Sequence, residues 1–498
     1  MKIENKSNLI FLFLIVLVYT GLTLLCVNHC YFWDNIQQIT KEAHWFYLTD
    51  FSSLLMPGQN SGSEIVATGY HPPLMGMMTA LLWKTIGYKL WVSHIFIFGW
   101  ALLLIYNVWK LLTKLLPDNC VGWVLLIVLL EPTLLTQFAI ASPDFILFAA
   151  FTIAFRAVLE RKSLLLAIGV FFLCGINMRG IFAGAILFIV HSYYTYLLSG
   201  TKFNIRSLMR IILPYLPTLI LLAAYFIYYL IGRGWFFADS TSNVHYSLPG
   251  GITRTGKHLA EFGIRSVENG RIAIWITGIV VAYATMKAKK SLSAEYRSTL
   301  LFFGLLTGLY LLFVFITQMP FSGRYFMPQF FLLTLLALKG ARQFYCEKKM
   351  RILFIVILCF ELTGHFWIYP DKIAKSWDCT LAHLPYYELR EECFNYIDQQ
   401  KLDYNDISAG FCLYGNRRFI ELKNEDKKVG TDFNRKYFIY SNISNIEDSR
   451  VDELKNKAHW MPIRSFEKGF VIITIYQNLM CGKQTTQQHS INYVTKKI

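Results

Sequence analysis

Long apolar runs recur along the chain from residue 9 to residue 369, and they constrain the fold more than any other feature. A helix needs about 20 mostly apolar residues to cross a bilayer, and many of these runs approach that length. Of 498 residues, 55% are hydrophobic and 16% are charged, which leaves too few polar residues to cover a soluble fold. The sequence therefore predicts a polytopic α-helical membrane protein. The first run has no small-x-small cleavage site before Asp34, so it is interpreted as a membrane anchor and not as a removable signal.

The net charge of +16 would suit a nucleic-acid-binding protein, but the distribution of the charge argues against that class. Residues 371–498 contain 19 basic and 17 acidic residues, whereas residues 1–370 contain 29 basic and 15 acidic residues. The excess positive charge is concentrated in six clusters between apolar runs. The clusters lie at residues 2–6, 110–114, 156–162, 202–210, 287–297 and 339–351. Placing all six in the cytoplasm satisfies the positive-inside rule, so the predicted partner is a lipid bilayer and not nucleic acid.

This placement predicts eleven membrane spans, with the N-terminus inside the cell and the C-terminal part outside. The spans are expected near residues 9–29, 90–109, 120–140, 144–160, 163–178, 181–198, 211–231, 267–286, 298–317, 325–341 and 352–369. The apolar segment 74–87 would reach roughly 21 Å as a helix, short of a hydrocarbon core of about 30 Å. It is therefore interpreted as a helix that enters only the outer leaflet. The alternative, a tilted short span, would reverse the side of every later basic cluster.

The sequence divides into a transmembrane domain at residues 1–370, whose first outer loop covers residues 30–89, and a less apolar C-terminal part. A small extracytoplasmic α/β domain is predicted at residues 371–481, followed by a polar tail at residues 482–498. Helices are expected near residues 386–400 and 446–457, and strands near residues 407–414, 436–441 and 470–477. Arg417 and Arg418 are interpreted as part of a solvated loop, and the alternative is contact with an acceptor or with headgroups.

The first outer loop is too long for a tight connection, and loops of such length are usually functional or disordered. Its density of tryptophan, tyrosine and histidine argues against disorder. Asp34 lies among aromatic residues just after the first apolar run, and His71 precedes a double proline near the end of the polar stretch. Asp34 is therefore the leading candidate for catalysis. The alternative is a carboxylate that only structures the loop.

Two further polar residues are predicted at the outer ends of spans, close to the same membrane face. Asp144 opens one span, and its alternative role is to cap the N-terminus of that helix. Arg179 lies at a tight reversal between two apolar runs, and its alternative role is to extend towards the headgroups. Both are predicted to bind substrate.

Two carboxylates lie inside apolar runs, where an ionisable residue is by default a candidate functional group. Glu131 precedes Pro132, which could end the helix early and leave the carboxylate in a water-filled vestibule. Glu361 is expected to have a structural role, with Thr363 and His365 as local partners.

The outer loop at residues 232–266 carries several basic residues, against the prevailing charge rule. His245, Arg254 and His258 belong to this group. Basic side chains bind phosphate through charge-assisted hydrogen bonds, so this loop is predicted to help hold a phosphate. The alternative is contact with anionic headgroups.

Three short motifs occur in an order that is typical of one superfamily. They are Trp33-Asp34 after the first span, His71-Pro72-Pro73-Leu74 followed by Trp83-Lys84-Thr85-Ile86-Gly87, and Ser142-Pro143-Asp144. The stretch around Arg324-Tyr325 is similar to a further element of that superfamily. In these motifs and their order, the chain resembles the polyprenyl-phosphate-sugar-dependent glycosyltransferases of the GT-C superfamily. This group includes the protein O-mannosyltransferases, the aminoarabinose transferase that acts on lipid A, and the lipopolysaccharide-core transferases of rhizobia. The resemblance covers residues 1 to about 340.

The resemblance implies a GT-C-like membrane fold and a set of site residues. It maps the catalytic carboxylate to Asp34 and places His71 near the lipid phosphate, where some members have lysine. It marks Asp144 as an acidic residue near the site. Arg324 carries over by local pattern, together with the adjacent Tyr325, as a substrate-binding residue.

The implied activity is transfer of a sugar from a polyprenyl-phosphate donor to an acceptor hydroxyl on the outer face of a bacterial cytoplasmic membrane. Asp34 would deprotonate the acceptor, basic residues would stabilise the departing phosphate, and a single displacement would invert the anomeric carbon. The acceptor is left open between a lipid, a glycan and a protein. No cofactor or set of metal ligands is predicted, and a requirement for a divalent metal ion is left open. The alternatives are a flippase or transporter of lipid-linked sugars, and a non-catalytic scaffold of envelope assembly.

Overall fold

A computed structural model gives the fold. It describes residues 6–37, 39–57, 64–65, 71–198, 200–234, 251–317, 321–368 and 376–481. The chain forms two compact units. The membrane unit comprises Met1–Asn28 and Lys41–Trp367, and the tail unit comprises His29–Thr40 and Ile368–Ile498. The tail unit therefore includes the start of the first outer loop as well as the C-terminal part.

All regular elements that the structure describes within the first 367 residues are helices. They are α1 (Lys6–Cys26), α2 (Asp34–Gln37), α3 (Ile39–Leu48), α4 (Leu74–Thr85), α5 (Leu90–Leu115), α6 (Asp118–Leu129), α7 (Pro132–Ala139), α8 (Pro143–Glu160), α9 (Ser163–Ile176), α10 (Met178–Tyr193), α11 (Ile205–Ile212), α12 (Leu216–Arg233), α13 (Ile252–Val267), α14 (Ile272–Lys287), α15 (Ala294–Ile316), α16 (Met327–Ala341) and α17 (Glu347–Gly364). A π-helical turn at Tyr194–Leu198 extends α10, and a 3-10 turn at Gly323–Phe326 leads into α16.

Within the described residues, each apolar run that was predicted to span the membrane is mostly helical, with breaks between α6 and α7 and between α11 and α12. Five helices in the described part of the chain are long and apolar enough to cross a bilayer, and a sixth candidate is the bent pair α6 and α7. Large apolar side chains on these helices remain exposed, as at Leu24 and Leu25 of α1, which suits a lipid environment. The chain is thus a multi-pass membrane protein. The count of eleven spans and their orientation stay predictions.

The core of the membrane unit forms around α8, in which residues 143–159 are buried. Phenylalanines on one face of α8 pack against other helices: Phe151 lies 5.1 Å from Phe302 of α15, measured between ring centroids. On another face, Gly169 of α9 approaches Ala154 so closely that a Cβ atom there would lie 2.8 Å from the Ala154 nitrogen. Because α8 is fixed on all sides, its first turn is a rigid position for a functional group.

Pro132 breaks the helix that was predicted over residues 120–140. The axes of α6 and α7 differ by 56°, and Glu131 caps α7 by accepting a hydrogen bond from the Leu134 N–H at 2.8 Å. Glu131 is 2% exposed, so its carboxylate lies in the protein interior and not in a water-filled vestibule.

The prediction of a loop at residues 232–266 was wrong for its second half, which forms the helix α13. Residues 235–250 lie outside the described part of the chain. The charged residues of α13 masked its helical period, but Phe262 gives it an apolar contact face. The Phe262 ring packs at 5.9 Å from Phe321 and at 5.3 Å from Phe326.

The tail unit contains a four-stranded and a two-stranded sheet with short helices. The elements are α18 (Pro385–Gln399), β1 (Ile407–Ala409), β2 (Gly415–Asn416), α19 (Arg417–Glu421), β3 (Lys428–Val429), β4 (Tyr437–Ser441), α20 (Asp448–Leu454), β5 (Trp460–Lys468) and β6 (Val471–Asn478). The larger sheet has the order β1-β4-β6-β5, with β1 parallel to β4 and the other pairs antiparallel. The predicted α18, β4, β6 and α20 are confirmed within a few residues. The strand predicted at 407–414 forms only over β1, and β5 was missed because it is a mostly exposed edge strand that contains Pro462.

Arg417 does not lie in a solvated loop, as the sequence suggested, because it starts α19 with its side chain 8% exposed. Its guanidinium forms two hydrogen bonds with the Glu421 carboxylate, at 2.8 and 2.9 Å, and Arg390 bonds the same carboxylate. Burial by itself raises the pKa of Glu421, but the bonds from Arg417 and Arg390 outweigh burial and lower it to about 2. This cluster stabilises the tail unit. Arg418 is exposed.

The segment His29–Thr40 forms part of the tail unit through specific contacts. The backbone N–H of Tyr31 donates to the carbonyl of Ile420 at 3.1 Å. The Phe32 ring stacks on His383 with centroids 4.7 Å apart. These contacts fix the chain next to Asp34 against the C-terminal part of the tail unit.

Candidate active site

The N-terminal ends of three helices in the membrane unit meet at the carboxylate of Asp144. Asp144 lies in the first turn of α8, where Ser142 provides the N-cap. Arg179, in the first turn of α10, donates from Nη2 to Asp144 Oδ1 at 2.7 Å. Arg324, in the 3-10 turn before α16, has Nε 3.0 Å from Asp144 Oδ2. Asp144 therefore pairs with two arginines, and Ser142 caps the helix in its place. Arg179 points at Asp144 and not at the headgroups.

Tyr325 completes this group from the same 3-10 turn. The Arg179 guanidinium lies 3.8 Å from the centroid of the Tyr325 ring, and the Arg324 guanidinium lies 5.3 Å from it. Such cation–π contacts are worth roughly 0.5–2 kcal/mol. The Tyr310 hydroxyl donates to the Tyr325 carbonyl at 3.2 Å, so both the ring and the backbone of Tyr325 are held.

His71 adjoins this cluster. The backbone N–H of Met178, the residue before Arg179, donates to His71 Nδ1 at 3.4 Å. The Tyr225 hydroxyl donates to the His71 carbonyl at 3.4 Å. Because Nδ1 accepts a hydrogen bond, the neutral imidazole carries its proton on Nε2. His71 can therefore donate to an anion through Nε2 without gaining a positive charge.

The electrostatics of the cluster favour an anion. The side chains of Asp144, Arg179 and Arg324 are 5%, 15% and 6% exposed, and their formal charges sum to +1. Helix N-termini carry partial positive charge and backbone N–H groups that suit phosphate. Each guanidinium has five N–H donors, so two arginines can bind one carboxylate and an additional oxyanion.

A second buried ion pair lies close by and was missed from the sequence. Arg271 Nε donates to Glu131 Oε1 at 2.9 Å, and both side chains are almost fully buried. Arg271 Nη1 also donates to the carbonyl of Gly323 at 2.6 Å. A charged residue just before an apolar helix was the available signal in the sequence, but the partner lies 140 residues away.

Asp34, the predicted catalytic residue, begins α2 in the tail unit and is partly buried. The preceding Trp33 adopts a left-handed backbone conformation, with φ of 53°. The Trp33 ring meets Phe411 edge to face, at a centroid distance of 5.4 Å. The catalytic role of Asp34 stays a prediction.

The predicted residues of the second basic loop do not join the cluster around Asp144 through any contact that the described structure gives. Arg254 is exposed on α13, and His258 is partly buried one turn further along the helix. His245 lies outside the described residues. Among the described residues, no group of three or more histidine, cysteine, aspartate or glutamate side chains has a metal-binding arrangement.

Comparison with known proteins identifies the fold. No protein-family model matches the sequence, and no curated protein matches it. The crystal structure of ArnT from Cupriavidus metallidurans bound to undecaprenyl phosphate matches with a TM-score of 0.52 and 9% identity. The apo structure of the same protein matches with a TM-score of 0.53 and 10% identity. Both matches cover 93% of this chain and 97% of the other chain.

A cryo-EM structure of the arabinofuranosyltransferase AftD from Mycobacteria also matches, with a TM-score of 0.47, 13% identity, and coverage of 94% of this chain and 40% of that chain. At these identities, the likeness to ArnT establishes the fold alone. The chain has the GT-C membrane fold, and the fold resemblance inferred from the sequence motifs is confirmed.

Proposed function

We propose that the protein is an integral membrane glycosyltransferase that moves a sugar from a polyprenyl-phosphate donor to an acceptor hydroxyl on the extracytoplasmic face. The observation that carries the proposal is the cluster of Asp144, Arg179 and Arg324, where three helix N-termini meet in a GT-C fold. A buried, positively charged site in a membrane protein suits a phosphate attached to a lipid. The undecaprenyl phosphate named for the ArnT structure supports the same class of donor.

The phosphate-binding roles follow from the geometry of this site. Arg179 and Arg324 donate to the oxygens of the donor phosphate, and Asp144 keeps their guanidinium groups oriented. His71 donates from Nε2. Tyr325 packs against both guanidiniums and limits their rotation. These groups stabilise the charge that develops on the departing phosphate, which is the largest electrostatic demand of the reaction.

Asp34 is the proposed general base. It takes the proton of the acceptor hydroxyl while the acceptor oxygen forms a bond to the anomeric carbon. The bond from that carbon to the phosphate oxygen breaks, and the electron pair leaves with the polyprenyl phosphate. A single displacement of this kind inverts the anomeric configuration.

The proposed location is a bacterial cytoplasmic membrane, with eleven spans, the N-terminus inside and the tail unit outside. The charge clusters between the apolar runs support this orientation. The acceptor class is a lipid, a glycan or a protein.

The test is sugar transfer by purified protein reconstituted in lipid vesicles. The vesicles receive a panel of radiolabelled polyprenyl-phosphate sugars and a membrane extract as the source of acceptor. Wild type should form a labelled glycosidic product, and Asp34→Asn should be slower by about 100-fold or more, the scale of a lost general base. Arg206→Ala, which removes an exposed arginine on α11, should transfer at the wild-type rate.

Two results would contradict different parts of the proposal. Equal rates for wild type and Asp34→Asn would remove Asp34 from catalysis. Movement of labelled lipid between leaflets without a glycosidic product would replace the transferase with a flippase.

A further inference from the structure

We infer that Arg271 is a positioning residue for Arg324: it holds the turn that carries Arg324 onto Asp144. This inference rests on the proposed function, because it assigns a role in setting the phosphate site. Arg271 does not itself contact the Asp144 cluster in the described structure. It acts through the backbone of the neighbouring turn.

The geometry links Arg271 to that turn directly. The side chain of Arg271 is fully buried, and its Nη1 donates to the carbonyl of Gly323 at 2.6 Å. Gly323 is bonded covalently to Arg324, whose Nε lies 3.0 Å from Asp144. A single peptide unit therefore connects the hydrogen bond made by Arg271 to the guanidinium proposed to bind phosphate.

Arg271 is itself held from two directions. On one side, its Nε donates to Glu131, which is fixed as the N-cap of α7. On the other side, Gly270 packs against α17 so tightly that a Cβ atom there would lie 2.2 Å from the Phe360 carbonyl oxygen. Gly270 has φ of 86°, a conformation that favours glycine. The anchor that fixes Gly323 is therefore built from three separate segments of the membrane unit.

The requirement for arginine follows from the number of bonds. Two of its acceptors, on Glu131 and Gly323, are bonded by different nitrogens of one planar guanidinium, and Nη1 also donates to the Arg265 carbonyl at 3.5 Å. A lysine ammonium on a flexible stem cannot reproduce this fixed arrangement. Two other hydrogen bonds at or near the turn avoid Gly323: the Tyr310 hydroxyl donates to the Tyr325 carbonyl, and Glu261 accepts from the Phe321 N–H at 3.2 Å.

The test is a double-mutant cycle on Arg271→Met and Arg324→Ala, with initial rates of sugar transfer as a function of donor concentration. A displacement of about 1 Å at a phosphate-binding group can reduce a rate by roughly 100-fold. Arg271→Met should therefore lower kcat/KM for the donor by about 30- to 100-fold in the wild-type background. In the Arg324→Ala background it should lower kcat/KM by no more than about threefold, because the group that Arg271 positions is absent. Arg271→Lys should lose about tenfold.

The matched control is Arg156→Met. Arg156 is also a buried arginine paired with a glutamate, with Nε 3.6 Å from Glu160. It lies 12 residues from Asp144 on α8, or roughly 18 Å along the helix. Arg156→Met should leave donor kcat/KM within about threefold of wild type. Its effect should be the same with and without Arg324, as for any change that alters folding alone.

Equal losses for Arg271→Met in both backgrounds, or a wild-type rate for the single variant, would overturn the inference while leaving the proposed function intact. If Arg271→Met does not fold, Glu131→Gln enters the same cycle and should show the same dependence on Arg324. If wild type transfers no sugar, the proposed function fails. Cryo-EM of Arg271→Met then tests the inference alone, which requires the Arg324 Nε to Asp144 distance to exceed 4 Å; a retained distance of about 3 Å would refute it.

Discussion

Asp144→Asn should destabilise the membrane unit and make its stability depend on a bound phosphate. Asp144 contacts two guanidiniums, at 2.7 and 3.0 Å, in a site where no partner is more than 15% exposed. Removing one partner of a buried ion pair usually costs about 3–5 kcal/mol. Asparagine still accepts one hydrogen bond through its amide oxygen, so the expected loss in free energy of unfolding is at the lower end, about 3 kcal/mol.

A polyprenyl phosphate should restore much of this loss, because its phosphate supplies the negative charge that the variant lacks. A ligand present at 100 times its Kd stabilises the folded state by about 2.7 kcal/mol. The measurement is reversible unfolding in mixed detergent micelles, with and without polyprenyl phosphate. The uncharged polyprenol serves as the control ligand. Asp118→Asn is the control variant, because Asp118 is exposed at the start of α6, and it should change the free energy of unfolding by less than about 0.5 kcal/mol.

This reasoning would be refuted if Asp144→Asn unfolded with the wild-type free energy. It would also be refuted if polyprenol stabilised the variant as much as polyprenyl phosphate. The first result would mean that the two arginines do not depend on Asp144, and the second that the site recognises the lipid chain and not the phosphate.

Three other predictions follow from separate parts of the molecule. The lowered pKa of Glu421 contributes about 3 kcal/mol to the stability of the tail unit above pH 4.5, and this contribution is lost as the pH falls towards about 2. Glu421→Gln should lose the same stability at pH 7, measured by hydrogen exchange of α19 in the full chain. Unchanged exchange in this variant would contradict the stabilising role of the cluster. Cys346 and Cys481 are both exposed. In right-side-out vesicles, an impermeant maleimide should therefore label a variant that keeps only Cys481 and should not label one that keeps only Cys346. The opposite labelling pattern would reverse the predicted topology. Neither carboxylate oxygen of Glu361 has a hydrogen-bond partner within the described residues. Glu361→Met should therefore leave the free energy of unfolding unchanged or raise it by about 1–3 kcal/mol. A loss of activity in this variant would instead assign Glu361 a function.

The features that depend on local sequence pattern could be predicted. Apolar run lengths predicted the helices, the placement of Asp144 and Arg179 at the outer ends of runs predicted that they would lie near one membrane face, and the family resemblance added Arg324. The structure brings these three side chains into direct contact. Their role in binding substrate stays a prediction.

Ion pairs between residues far apart in the chain could not be predicted from the sequence. Arg271 was not singled out from the sequence, because its partner Glu131 is 140 residues away. Thr363, one of the expected partners of Glu361, instead donates its hydroxyl to the Phe360 carbonyl. Local spacing reveals a helix face, but it does not reveal which distant segment neutralises a buried charge.

The segment around Asp34 illustrates the same limit. Its position after the first apolar run placed it in a loop of the transmembrane domain, but contacts such as that between Tyr31 and Ile420 group it with the tail unit. A separation of almost four hundred residues leaves no local signal in the sequence. Helix α13 was missed for a different reason, because its basic residues suggested a loop.

The most direct measurement of the central claim is a cryo-EM structure of the protein in lipid nanodiscs with polyprenyl phosphate. The account predicts phosphate oxygens within hydrogen-bond distance of Arg179, Arg324 and His71, with Asp144 still paired with both arginines. A phosphate bound instead by Arg254 and His258 on α13, with the Asp144 cluster unoccupied, would contradict it.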